Sequence, residues 1–264
     1  MPDFFKFHGT GNDFILIDGR ETKLRIDAKS IAALCNRHTG IGADGLIVVV
    51  PHKDCTFEMI YYNADGSPAT MCGNGARCAA AFAFMNNIAG SECDFMAGDG
   101  RHEATIEKTS PNEWKVEITM RDVTAPANTG DSTEINTGTP HLVKIVEDAA
   151  NTDVFTLGRE IRYSEKYRKN GVNIDWMSYE NDKLKVRTYE KGVENETLSC
   201  GTGVTACGIV AALNTGRYQW DVVTPGGMLS VKMVREGNLF TNIRLKGPAT
   251  FVFSGDIASR NLDA

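Results

Sequence analysis

The chain has 264 residues, enough for one large domain or two of ordinary size. Its 42% hydrophobic and 23% charged residues are the balance of an ordinary globular protein, and a net charge of −6 argues against a nucleic-acid binder, which would carry a basic face. No stretch is long and apolar enough to span a membrane, and charges within the first six residues break any signal-like run, so the expectation is a cytoplasmic protein.

In chain order, alternating patterns predict strands at 4–18, 46–50 and 55–63, with a helix at 28–38 before the second of them. An Ala-rich helix follows at 75–87 (GARCAAAFAFMNN), then strands at 102–108 and 114–120. The second half reads as strands at 141–147 and 183–190, a helix at 202–216 (TGVTACGIVAALNTG), and strands at 221–227, 229–234, 240–247 and 250–257. Many strands are polar at every other position, as in antiparallel or mixed sheet with one wet face. The two Ala-rich helices are apolar around most of their circumference, the pattern of helices buried on nearly all sides.

Seven cysteines is an odd number, and none forms a C-x-x-C pair. Reduced thiols are expected rather than a disulfide frame or a zinc site. Two of them belong to an internal repeat. Residues 71–78 read MCGNGARC, and 198–207 read LSCGTGVTAC. Each copy follows a strand ending in Tyr-Asn (62–63) or Tyr-Glu (189–190) and a polar loop, then enters a buried helix. The repeat predicts an α+β fold of two similar halves. Residues 1–125 carry Cys72, and 126–249 carry Cys200. The boundary falls in TAPANTG (124–130), and the C-terminal strand 250–264 is free to pack back on the first half.

A cysteine at the start of a helix sits among N–H groups that have no partner, in the positive potential of the helix dipole, and both favour the thiolate. The glycines beside it let a small anion such as a carboxylate reach those N–H groups. Two such helix starts facing one cavity would place sulfurs on both sides of a carbon. That suits removal of a proton from one face and return of a proton to the other, with one sulfur as thiolate and one as thiol. Stereoinversion at an α-carbon is the natural reaction.

Other readings stand beside it: small core cysteines at tight turns, a thiol redox pair, or a non-catalytic amino-acid binder. Cys78 and Cys207, further along the same helices, read as core, and Cys35, Cys55 and Cys93 have no supporting context. GIGADG (40–45) satisfies G-x-G-x-x-G, but its helix precedes it and its strand follows, the reverse of a dinucleotide site. No Walker motif, zinc-spaced cluster or pyridoxal-phosphate lysine stands out.

Seven motifs carry a resemblance over essentially the whole chain: HGTGNDF (8–14), GIGADG (40–45), YNADGSPATMCGNGARC (62–78), TPHLV (139–143), GVNIDW (171–176), RTYEKGVENETLSCGTG (187–203) and GPATFVFSG (247–255). In these the chain resembles the diaminopimelate epimerases, two-cysteine enzymes that use no cofactor. The resemblance implies two pseudo-symmetric domains, each a mixed or antiparallel sheet wrapped around a central buried helix, with the active site in the cleft between them. It implies Cys72 and Cys200 as the acid/base pair, assisted by His141 and Glu190. Gly73, Asn74, Gly201 and Thr202 would form the helix starts that bind the substrate's α-carboxylate and α-amino end, while Asn12, Asn63, Asn173, Glu190 and Lys191 would line the pocket.

The implied reaction interconverts LL- and meso-2,6-diaminopimelate in lysine and peptidoglycan-precursor synthesis. The expected partner is a small amino-acid substrate, with no cofactor, metal, nucleic acid or membrane; a homodimer is among the assemblies the sequence permits. Two positions depart from the family pattern. Lys191 stands where arginine is common, and Thr139 where asparagine is common. A lysine offers a distal carboxylate a point charge in place of a planar fork. Proline racemases and hydroxyproline epimerases of the same fold are the nearest rivals.

Overall fold

In the computed structural model, which describes residues 3–20, 27–126 and 132–257, the stretch 4–18 is two strands, β1 (Phe4–Gly9) and β2 (Asn12–Asp18). Thr10 (φ 51°) and Gly11 (φ 85°) both lie in the left-handed region, which a two-residue turn needs to match the twist of its flanking strands. The chain continues through α1 (Ala28–Cys35), β3 (Gly45–Val50), β4 (Phe57–Asn63), β5 (Pro68–Ala69), α2 (Gly73–Met85), β6 (Glu92–Ala97), β7 (Gly100–Ser110), β8 (Glu113–Thr119) and β9 (Val123–Thr124). Then come β10 (Ser132–Asn136), β11 (Pro140–Ile145), α3 (Val154–Arg162), β12 (Asn173–Glu180), β13 (Lys183–Glu190), β14 (Asn195–Thr197), α4 (Gly201–Thr215), β15 (Gln219–Thr224), β16 (Gly227–Glu236) and β17 (Leu239–Gly255). Residues 127–130 of the TAPANTG stretch and 258–264 of the C-terminal segment lie outside the described residues. Sequence patterning missed α3, β6, β10 and β12 and the short strands β5, β9 and β14. It also split β17, whose alternation runs on through Gly247 and Pro248.

Contacts gather into two compact units. One runs to Ile118 and resumes at Gly247; the other is Thr119–Lys246. In the first, β1 pairs antiparallel with β2, β2 parallel with β3, β3 antiparallel with β4, and β4 antiparallel with β5 and parallel with β6. Antiparallel β6–β7 and β7–β8 follow. The last part of β17 then pairs with β8 on one side and β1 on the other, so the ladder returns to its start. Parallel neighbours need a crossover, and α2 is the crossover between β4 and β6. It packs against β1, β2, β3, β4 and β7 and is buried from Gly73 to Ala83.

The second unit repeats this order of pairings. β10–β11 is antiparallel, β11–β12 parallel, β12–β13 antiparallel, β13–β14 antiparallel, β13–β15 parallel, and β15–β16 and β16–β17 antiparallel. Here α4 is the crossover, packed against β10 to β13, β15 and β16 and buried at Gly201 and from Gly203 to Ala212. The repeat seen around the two cysteines is therefore a repeat of whole-unit topology. Among the described residues no helix is long and apolar enough to cross a membrane.

Small residues let strands approach α2 closely, and one large side chain anchors it. Phe82 is fully buried, with its ring 5.1 Å from that of Phe5 and 6.3 Å from that of Phe7. Phe82→Ala removes this anchor from a site walled by sheet and is expected to cost about 3–5 kcal/mol. The check is a urea titration followed by circular dichroism; an unmoved midpoint would mean the strands do not rely on this helix.

Candidate active site

In the first unit the chain turns from extended backbone at Cys72 (φ −139°, ψ 121°) into α2, which makes Cys72 the N-cap. Its sulfur accepts from the Gly75 N–H at 3.5 Å and donates, as a thiol, to Asn12 Oδ1 at 3.5 Å. The hairpin turn presents Asn12 here, and Asn12 is fixed from both ends. Its Oδ1 also accepts from Asn74 Nδ2 at 3.2 Å, and its Nδ2 donates to Asp44 Oδ2 at 2.7 Å. Close approach of the turn to the helix start requires Gly9, where a Cβ would lie 3.1 Å from both Arg77 Nη2 and the Asn74 carbonyl.

A charge cluster lies behind Asn12. Asp13 pairs with Lys6 and Arg37 at 2.7 Å each, and Arg37 also meets Asp44 at 2.6 Å. Burial opposes the Asp13 charge, but hydrogen bonds from Arg37 and Lys6 prevail and hold its carboxyl well below the usual range.

In the second unit Cys200 (φ −120°, ψ 112°) is the N-cap of α4, and a polar chain leads away from it. Cys200 Sγ lies 3.3 Å from Thr202 Oγ1, which lies 3.0 Å from His141 Nε2. Across the imidazole, His141 Nδ1 lies 2.6 Å from Asp175 Oδ2, and both side chains are fully buried. Asp175 Oδ1 in turn accepts from Thr188 Oγ1 at 2.7 Å. With Nδ1–H donating to the Asp175 carboxylate, Nε2 is left to accept from Thr202. Thr139 Oγ1 lies 3.0 Å from the same Nε2. The arrangement is a path for a proton between the Cys200 sulfur and a buried imidazole–carboxylate pair.

The parallel register His141↔Asn173 puts Asn173 beside this chain. Its Nδ2 donates to Thr139 Oγ1 at 3.3 Å, and its Oδ1 accepts the Lys191 N–H at 2.8 Å. Gly203 is glycine for a steric reason: a Cβ there would lie 2.3 Å from Asp175 Oδ1. Burial pushes the Cys200 thiol well above its ordinary value, and the carboxylates of Glu190 and Asp175 push the same way, against the Thr202 hydroxyl and the Gly203 N–H.

Of the expected site residues, Cys72, Gly73, Asn74 and Asn12 come together in the first unit. Cys200, Gly201, Thr202, His141 and Asn173 come together in the second, joined by Glu190 through its field and Lys191 through its backbone. Asn63 serves its own turn. Its Nδ2 donates to Ser67 Oγ at 3.1 Å and its N–H to the Ser67 carbonyl at 2.9 Å. Sequence reasoning missed Asp175, Thr188, Asp44 and Arg77. A carboxylate inside the apolar run of GVNIDW was the signal for Asp175, since a buried charge requires a partner. Cys78 and Cys207 lie at 0% exposure, and burial drives both thiols upward.

The His141–Asp175 contact makes a spectroscopic prediction. In ¹⁵N NMR His141 is expected as the Nδ1–H tautomer, and Asp175→Asn is expected to mix the tautomers while the fold persists. An unchanged His141 spectrum in that variant would show that Asp175 does not set the ring.

A model of the diaminopimelate epimerase family matches residues 4–124 and 133–252. The chain is 44% identical over 261 residues to a diaminopimelate epimerase of Flavobacterium psychrophilum, covering 96% of this chain and 99% of that one. It is 41% identical over 285 residues to that of Aquifex aeolicus, covering 99% of each. Among solved structures it is similar in fold to a probable proline racemase of Agrobacterium radiobacter with bound carbonate. The TM-score is 0.73 at 14% identity, over 100% of this chain and 94% of that one. With its family motifs placed around two helix-capping cysteines, the chain belongs to the diaminopimelate epimerase family.

Proposed function

We propose that this chain interconverts LL- and meso-2,6-diaminopimelate, with Cys72 acting on one face of the α-carbon and Cys200 on the other. The observation that carries the reading is the duplicated device itself: in each unit a cysteine occupies the N-cap position of a buried helix. One sulfur, as thiolate, takes the α-proton. The other, as thiol, gives its proton to the opposite face, so the proton count on the pair is unchanged after each turnover. Charge that develops on the α-carboxylate is met by the first-turn N–H groups of the two helix starts, Gly73-Asn74 and Gly201-Thr202. Thr202, His141 and Asp175 offer Cys200 a route for resetting its proton.

Lys191 takes the distal carboxylate. Its backbone is pinned by Asn173, and its Nζ donates to the Asn170 carbonyl at 3.1 Å, with two further N–H donors left on the ammonium. This reading places the protein in the cytoplasm, where thiols stay reduced.

Incubation of the reduced protein with LL-diaminopimelate in deuterium oxide tests the reaction. The meso isomer should form with deuterium at the inverted α-carbon, and Cys72→Ala and Cys200→Ala should each lose about 10²–10⁴-fold or more in turnover. Normal turnover of both isomers by the Cys72 variant would end the two-base account. For the distal end, Lys191→Met is expected to raise KM about 10- to 100-fold with a smaller change in kcat, the cost of one lost charge-assisted hydrogen bond. Steady-state kinetics on both isomers gives the split.

A further inference from the structure

Arg77 is the least expected residue in the first unit. It lies on α2, among alanines, and is fully buried. Its guanidinium folds back along the first turn of the helix. Nη1 donates to the Gly73 carbonyl at 3.1 Å, Nη2 to Asn74 Oδ1 at 2.8 Å and Thr10 Oγ1 at 3.4 Å, and Nε to the Pro248 carbonyl at 3.3 Å. Every one of these acceptors is neutral. Among the described residues no carboxylate forms an ion pair with Arg77, and the ionisable groups that bear on it are the thiols of Cys78 and Cys72. A buried cation is expensive without a counter-charge, and guanidinium does not relieve the cost by losing its proton at neutral pH. Burial brings it down only to about 10.

Among the described residues the rest of the neighbourhood offers no other free carboxylate. Cys78, next along the helix, is fully buried, and burial drives its thiol upward. From β1 and β2, Asp13 is taken by Lys6 and Arg37; before β3, Asp44 is taken by Arg37. The turn supplies the Thr10 hydroxyl, and β17 the Pro248 carbonyl. Two aspartates and two cations cancel, which leaves the Arg77 charge over.

We propose that Arg77 is a positioning residue for Cys72, its buried and otherwise uncompensated guanidinium making Cys72 the thiolate and leaving Cys200 the thiol in the substrate-free protein. The inference rests on reading the two cysteines as the acid/base pair. The second unit supports the assignment from its own side. At Cys200 burial and the carboxylates of Glu190 and Asp175 oppose ionisation. The enzyme would thus start each cycle from one defined protonation state.

The test is the pH dependence of iodoacetamide labelling, followed by peptide mass spectrometry so that each sulfur is read separately. In the wild-type protein the labelling midpoint of Cys72 should lie below that of Cys200. Arg77→Met should raise the Cys72 midpoint by about one unit or more without moving Cys200, and Arg77→Lys, which keeps the charge, should restore most of the shift. A folded Arg77→Met protein with an unmoved Cys72 midpoint would make Arg77 a structural clamp only and overturn the proposal. If that variant does not fold, the wild-type order and Arg77→Lys decide: a Cys72 midpoint at or above that of Cys200 overturns it equally. Labelling needs no substrate, so its failure leaves the epimerase reading standing, and absent deuterium incorporation leaves the labelling result standing.

Discussion

A helix that is apolar on every side must be enclosed, and enclosure leaves its ends as the places where polar chemistry can reach it. That constraint organises both units. Around α2 the strands run from β1 through β8 and the end of β17 back to β1, so alanines and Phe82 meet sheet in nearly every direction. Around α4, six strands do the same for a helix buried over almost its whole length. The first-turn N–H groups cannot be satisfied within the helix. Glycine after the cap lets an anion such as a carboxylate reach those N–H groups, although at Cys200 burial and the nearby carboxylates outweigh their pull on the sulfur.

Strand order follows from the same demand. The chain leaves one strand and returns parallel to it once around each buried helix: β4 to β6 around α2, β13 to β15 around α4. The second parallel pair of each unit, β2–β3 and β11–β12, brings the start of one strand beside the start of the next. This sets Asp44 against Asn12 in the first unit and Asn173 against His141 in the second. The side chains that reach the cysteines therefore come from equivalent places in the two units, at the openings of β2 and β11.

Much of this was legible because it was written in small and apolar residues. The two buried helices showed as Ala-rich runs, and the caps as Cys-Gly-x-Gly. What was missed had its signal inverted by partners that are far away in sequence. β12 is buried on both faces yet carries Asp175 and Ser178, polar residues made tolerable by His141, Thr188 and the Ala149 N–H, so neither alternation nor an apolar run marks it. α3 fully buries only Val154 and Gly158, with Ile161 packed beside them; the middle of its inward face is glycine because a Cβ there would lie 2.5 Å from the Tyr189 ring, and glycine carries no apolar signal. The resemblance implies Asn63 as a pocket residue, and in the structure its side-chain amide donates to Ser67 in its own turn, a use that a strand-end asparagine also suits.

The position two residues after each cysteine shows how a repeated scaffold acquires unlike halves. Asn74 and Thr202 occupy the same place in the first turns of α2 and α4. Asn74 accepts from the buried Arg77 and donates to Asn12, so the first cap is wired to a cation that cannot give up its charge. Thr202 carries one hydroxyl, which accepts or donates according to what its neighbours need, and it joins Cys200 to an imidazole held by a carboxylate. An acid/base pair of identical groups must still differ at any instant, since two thiols or two thiolates cannot both take and give a proton. Duplication supplies the symmetric pair of sulfurs. On the proposed two-base mechanism, the divergence between Asn74 and Thr202, with the charges each one contacts, would supply the difference that lets one sulfur begin as base and the other as acid.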